Sequence, residues 1–131
     1  MRIDHIAIWT DKLEEMRNFY ITYFGGISNT KYINRQKGFE SYFIYFKGNT
    51  SLEIMKRVDI KERPLGEYMG LCHLAFTIEN KEKLHELTER LRADGFVVVG
   101  EPRLTGDGFY ESVILDVDNN RIELVADKKE E

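Results

Sequence analysis

The chain repeats itself, and the repeat decides what it can fold into. Residues 3–8 read Ile-Asp-His-Ile-Ala-Ile and residues 71–76 read Leu-Cys-His-Leu-Ala-Phe, so His73 follows His5, and Ala75 follows Ala7, at the same interval of 68. At that interval Met16, Phe19 and Tyr23 recur as Leu84, Leu87 and Leu91, each set spaced to fill one stripe of a helix. Gly25 recurs as Gly95. Gly38-Phe39-Glu40-Ser41 is echoed by Phe109-Tyr110-Glu111-Ser112, and Ser51-Leu52-Glu53-Ile54 by Arg121-Ile122-Glu123-Leu124. The fold must therefore be made of two like modules.

Each module reads as strand, helix, then three strands: 2–9, 11–24, 27–33, 40–47 and 50–57, then 71–78, 80–94, 96–100, 109–116 and 121–126. The class is α+β, with βαβββ occurring twice in tandem. Asp11 and Glu14 have capping-box spacing at the first helix, Gly25-Gly26 closes it, and Asn80 and Gly95 bracket the second. Turn chemistry at Lys47-Gly48-Asn49-Thr50 and Asp118-Asn119-Asn120 separates strands. The organisation is one domain over residues 1–131: a first module to residue 58, a linker over 59–69 containing Arg63-Pro64-Leu65-Gly66, and a second module over 70–127. The Lys128–Glu131 tail is expected to fray.

Composition narrows the partners. With Lys+Arg 19 against Asp+Glu 23 the net charge is −4, which supplies no basic field for nucleic acid. No apolar run approaches the ~18 residues of a membrane span, and Asp4 and His5 interrupt the place where a secretion signal has its apolar centre. Cys72 is the lone cysteine, so neither an internal disulfide nor a cysteine zinc site is available, and a cytoplasmic location is expected. Beside His73 it is expected as a buried thiol on the helix side. His85, among Glu82, Lys83, Glu86 and Glu89, is expected on a solvated helix face.

Strand side chains alternate between faces. In the first strand His5, Ala7 and Trp9 share one face and Ile6 and Ile8 the other; in its repeat, His73, Ala75 and Thr77 oppose Leu74, Phe76 and Ile78. The same parity separates Glu53 from Leu52 and Ile54, and Glu123 from Ile122 and Leu124. Two histidines and two glutamates are thus expected on the faces away from the helices, lining one concavity. A carboxylate mid-strand among apolar neighbours is costly to bury unless paired. One divalent metal ion would satisfy His5, Glu53, His73 and Glu123 together, and their mixed nitrogen and oxygen donors suit Zn, Ni, Co, Mn or Fe better than Ca.

At Asp-His-Ile-Ala-Ile (4–8), Leu-Glu-Ile (52–54), Gly-Leu-Cys-His-Leu-Ala-Phe (70–76) and Asn-Arg-Ile-Glu-Leu (120–124), the chain resembles the vicinal oxygen chelate superfamily and, within it, small glyoxalase I (lactoylglutathione lyase)-like proteins. The resemblance implies a curved, cup-shaped mixed sheet with His5, Glu53, His73 and Glu123 as metal ligands. It implies a lyase or isomerase acting on a small oxygenated metabolite or hemithioacetal, with a metal-bound glutamate moving a proton through an enediolate. Either Glu53 or Glu123 could be the base; Glu123 is preferred because Arg121, two residues away on the same face, could orient it. Glutathione-using members often place an arginine four residues after the first histidine, where this chain has Trp9, which either stacks on a planar substrate or packs in the cup wall. A homodimer is expected, its modules closing within one chain or exchanged with a partner.

Further substrate contacts are sought at Arg35, Arg103, Tyr110 and Glu111. The arginines either reach an anionic substrate or are solvated loop residues, and Glu111 faces the cup unless a bulge after Gly108 reverses it. Two other functions fit the same scaffold. A fosfomycin-type resistance enzyme would open an epoxide but uses two His and one Glu, and a bleomycin-resistance-like protein would sequester a drug without metal chemistry.

Overall fold

The computed structural model describes residues 1–127, so the expectation for Lys128–Glu131 lies outside the described residues. The chain divides into two compact units, Met1–Pro64 and Leu65 onward. Each is a helix laid on one face of a mixed sheet.

In the first unit, β1 (His5–Trp9) leads into α1 (Leu13–Phe24), followed by β2 (Ile27–Ser28), β3 (Tyr32–Asn34), β4 (Phe39–Tyr45) and β5 (Ser51–Arg57). The sheet order is β1-β5-β4-β2, with β3 also on β4; β1 runs parallel to β5 and the other pairs are antiparallel. The helix buries Leu13, Met16, Phe19 and Tyr20 against Tyr42, Ile44, Leu52 and Ile54, the stripe that its apolar spacing dictates.

Two details differ from expectation. The single strand expected over 27–33 is split at Asn29, whose side-chain Oδ1 accepts the Phe43 N–H at 2.9 Å while its own N–H donates to the Phe43 carbonyl. An amide side chain that takes a ladder position in this way displaces the backbone from it. The Asp11–Glu14 capping box does not form either: Lys12 occupies the N-cap without a side-chain bond and donates its N–H to Thr10 Oγ1 at 2.9 Å. Glu14 is drawn away to Lys31 Nζ at 2.7 Å and to the Tyr42 hydroxyl at 2.8 Å. The helix does close at Gly25, which is left-handed at φ 66°, and a Cβ on the next residue, Gly26, would overlap the Ile44 side chain.

The second unit comprises β6 (His73–Ile78), α2 (Lys81–Ala93), β7 (Val98–Leu104), β8 (Tyr110–Leu115) and β9 (Arg121–Ala126). Its sheet order is β6-β9-β8-β7, with β6 parallel to β9. Asn80 caps α2 as its residue type predicts, accepting the Lys83 N–H at 2.8 Å. Leu84 and Leu91 pack on Ile114, Ile122 and Leu124. β7 was expected over 96–100 but runs to Leu104, with register shifts between Val98 and Gly100 and between Gly100 and Arg103. The second shift spans Pro102, which has no N–H to give a ladder, and β7 is a terminal strand where such breaks are tolerated. Neither helix is long and apolar enough to cross a membrane.

Candidate functional site

The parallel pairing of β1 with β5 sets Ala7 opposite Glu53 and His5 opposite Ser51, so His5 and Glu53 sit diagonally on the face away from α1. His5 Nε2 lies 3.7 Å from Glu53 Oε1. On its other side, His5 Nδ1 is 2.8 Å from Asp4 Oδ2. A neutral imidazole that donates from Nδ1 to a carboxylate presents its Nε2 lone pair, the arrangement of a metal-binding histidine. The hydrogen bond to His5, helped by Arg2, holds the Asp4 carboxyl below the usual carboxylate range.

The second unit repeats this geometry. Ala75 pairs with Glu123 and His73 with Arg121, and His73 Nε2 is 3.0 Å from Glu123 Oε2. Cys72 stands where the first unit has Asp4, its Sγ 3.4 Å from His73 Nδ1. The expected buried thiol is therefore corrected: Cys72 is exposed. It precedes the first residue of β6, so strand alternation does not govern its direction. In both units the glutamate is the more buried partner, at 17% side-chain exposure, against 38% for His5 and 35% for His73.

Glu111 lies opposite Val125 on β9 and opposite Arg103 on β7, on the face that carries Glu123. Partial burial, then the charge and hydrogen bonding of Glu123, push the Glu111 carboxyl above its usual range, and Arg103 opposes the shift. The irregularities sit in β7, not after Gly108, so Glu111 keeps the facing that strand parity assigns. Arg103 is an exposed strand residue, whereas Arg35 is exposed in the turn between β3 and β4, where its carbonyl accepts the Gly38 N–H. Their equal spacing does not make them equivalent. Arg121 has a buried Nε without a hydrogen-bond partner.

Tyr110 falls on the helix side of β8. Its hydroxyl is 2.5 Å from His85 Nε2, and Lys81 Nζ lies 5.0 Å from its ring centre. His85, expected to be merely solvated, is thus a partner of that tyrosine. Tyr110 shares strand parity with Ser112 and Ile114, a signal that could have placed it beside α2. Trp9 is 38% exposed on the His5 face, edge-on to Phe39 with ring centres 6.1 Å apart, and the Arg57 guanidinium lies 5.0 Å from its ring. Among the described residues no group of three or more His, Cys, Asp or Glu side chains is gathered to hold a metal ion; the candidate ligands form one pair in each unit. As donors they fit a divalent cation, each pair offering an imidazole nitrogen beside a carboxylate.

The chain belongs to the Glyoxalase/Bleomycin resistance protein/Dioxygenase superfamily, whose family model matches residues 2–124. It is 30% identical over 129 residues to the uncharacterized protein YqjT of Bacillus subtilis (strain 168), covering 93% of this chain and 96% of that one. Among solved structures, a glyoxalase family protein from Enterococcus faecalis is similar with a TM-score of 0.77 and 25% identity, over 95% of this chain and 96% of the other. Glyoxalase I from Zea mays matches with a TM-score of 0.78 and 20% identity over 96% of this chain, a likeness of fold alone. The chain spans about half the length of the maize protein, 45% of it being covered. The α+β architecture with two βαβββ-type modules is that of this superfamily, which includes metal-dependent enzymes such as glyoxalase I.

Proposed function

We propose that this chain is a metal-dependent lyase or isomerase of the glyoxalase I type, acting on a small oxygenated metabolite or hemithioacetal. His5, Glu53, His73 and Glu123 would together hold one divalent ion, Zn, Ni, Co, Mn or Fe. The observation that supports this most is the matched His–Glu pair in each unit, with each imidazole Nδ1 against the residue before it. A bound cation would draw electron density from two adjacent substrate oxygens and so acidify the neighbouring C–H.

The protein's own groups supply the rest. Glu123 takes the proton from one carbon and returns it to the next, in the manner of a positioned general base. Arg121, opposite His73, and Glu111, on the same face, set the electrostatic surroundings of that carboxylate. A cytoplasmic homodimer binding a small molecule completes the proposal, and it involves neither nucleic acid nor a membrane.

The test is turnover of a hemithioacetal panel by protein reconstituted separately with each of the five metals, together with Glu53→Gln and Glu123→Gln. Gln keeps an oxygen donor but removes the basic carboxylate. The true base should lose roughly 10²–10⁴-fold in turnover with metal retained, and Glu123 is the position expected to do so. Full activity of both metal-loaded variants, on a substrate that the parent converts, would show that neither glutamate is the base.

A further inference from the structure

The two units differ in what surrounds their His–Glu pairs. In the first, the face away from α1 is aromatic. The His5 ring is edge-on to Phe43 at 5.3 Å, Phe43 stacks on Tyr45 at 6.2 Å, and Phe39 is edge-on to both Trp9 and Tyr32 at 6.1 and 5.9 Å. Tyr32 is 52% exposed and Tyr45 48%, well beyond what a purely structural cluster needs. In the second unit the corresponding strand positions carry Ala75, Thr77, Glu111, Val113 and Val125, and among the described residues Phe109, just before β8, is the one aromatic with the same parity.

Register shows where a ligand would lie. Phe43 is opposite Glu53, Glu53 is opposite Ala7, and Trp9 is opposite Met55 one row further on. Ala7 is therefore the small exposed residue between His5 and Trp9 on the same strand. On the side of His5 away from Ala7, at the β4–β5 turn, a separate cleft of about 340 Å³ is lined by residues that include Arg2, Asp4, Phe43, Tyr45 and Ser51, with neither Ala7 nor Trp9 among them.

From these features we infer that the first unit selects a planar aromatic substrate, its ring held over Ala7 between Phe43 and Trp9 and its paired oxygens directed at His5 and Glu53. The inference rests on the proposed metal-dependent function and names its substrate class. A flat ring would meet the ring edges and faces of Phe43 and Trp9, apolar contacts that a flexible, charged thiol peptide does not exploit.

Trp9 is the chain's one tryptophan, so its emission reports on this face. The full-length protein, once with Zn²⁺ and once with the metal removed by chelation, is titrated with benzohydroxamate and with acetohydroxamate, which share a two-oxygen head and differ by the ring. Emission and calorimetry are followed together. Benzohydroxamate should bind about tenfold more tightly in both states and quench Trp9. Trp9→Leu and Phe43→Leu should each narrow that preference, read by calorimetry, while acetohydroxamate affinity stays unchanged. Equal affinities for the two probes would overturn the aromatic class, and so would Trp9 emission that shifts on protein dilution but ignores both probes, which would make this face a contact between copies of the chain. Failure of the metal reading looks different: Zn²⁺ would then strengthen neither probe, and the ring preference would persist without it.

Discussion

Two buried hydroxyls in the second unit allow a sharp test of its packing. Thr88 Oγ1 donates to the Leu84 carbonyl at 2.7 Å and lies 2.9 Å from Ser112 Oγ, and both residues are fully buried. A hydroxyl has one proton. Since that of Thr88 goes to Leu84, Ser112 must be the donor to Thr88. Thr88→Val then leaves the Ser112 O–H without an acceptor in a dry interior, and should destabilise by about 2 kcal/mol. Ser112→Ala removes that donor and leaves only a spare lone pair on Thr88, for about 1 kcal/mol. The double variant exchanges both hydroxyls for apolar groups and should be no less stable than Thr88→Val alone, so the effects fall short of additivity by about 1 kcal/mol or more. Urea unfolding of the four proteins measures this directly. Additive effects, or Ser112→Ala costing more than Thr88→Val, would refute the assigned direction of the bond.

Stability should also respond to acid through Glu14, whose carboxyl is held below the usual carboxylate range chiefly by the hydrogen bond from Lys31. A depressed carboxylate contributes stability that is present above the unfolded value and lost as pH falls through the folded one, so unfolding scans should show a decline below about pH 4.5 that Lys31→Met makes shallower. The pair is substantially exposed, and that contribution should be about 0.5 kcal/mol after solvent screening. Asp116, 3% exposed, accepts from the backbone N–H groups of Asp118 and Asn120 and from Asn120 Nδ2, so Asp116→Ala should lose about 2–3 kcal/mol in chemical denaturation. Gly38→Ala meets two obstacles, a backbone at φ 61° and Val58 Cγ2 only 2.8 Å from the new Cβ, and should lower the melting temperature by several degrees.

Strand parity carried most of what was legible in advance. Because side chains alternate, the shared face of His5 with Glu53 and of His73 with Glu123 followed from four short motifs, while their parallel pairing did not, and β9 falls at the expected 121–126. What escaped depended on groups distant in sequence or on strand ends. The split at Asn29 needs the Phe43 backbone, and the failed capping box needs Lys31 and Tyr42 to compete for Glu14. Cys72 was misplaced because alternation was extended one residue beyond the start of β6. Tyr110 illustrates the opposite fault: its parity with Ile114 is legible in the sequence and places it on the helix side, yet it was sought as a substrate contact, whereas its hydroxyl meets His85.

The central claim is that the two pairs act as one metal centre, and counting bound metal tests it most directly. Purified protein is equilibrated with Zn²⁺, dialysed, and assayed for metal per chain beside His5→Ala and His73→Ala, with circular dichroism confirming that each variant is folded. One ion per chain in the parent, and loss of tight binding in either variant alone, is the predicted result. Two ions per chain in the parent, with one retained in each variant, would mean that each His–Glu pair binds independently and would contradict the single four-ligand site.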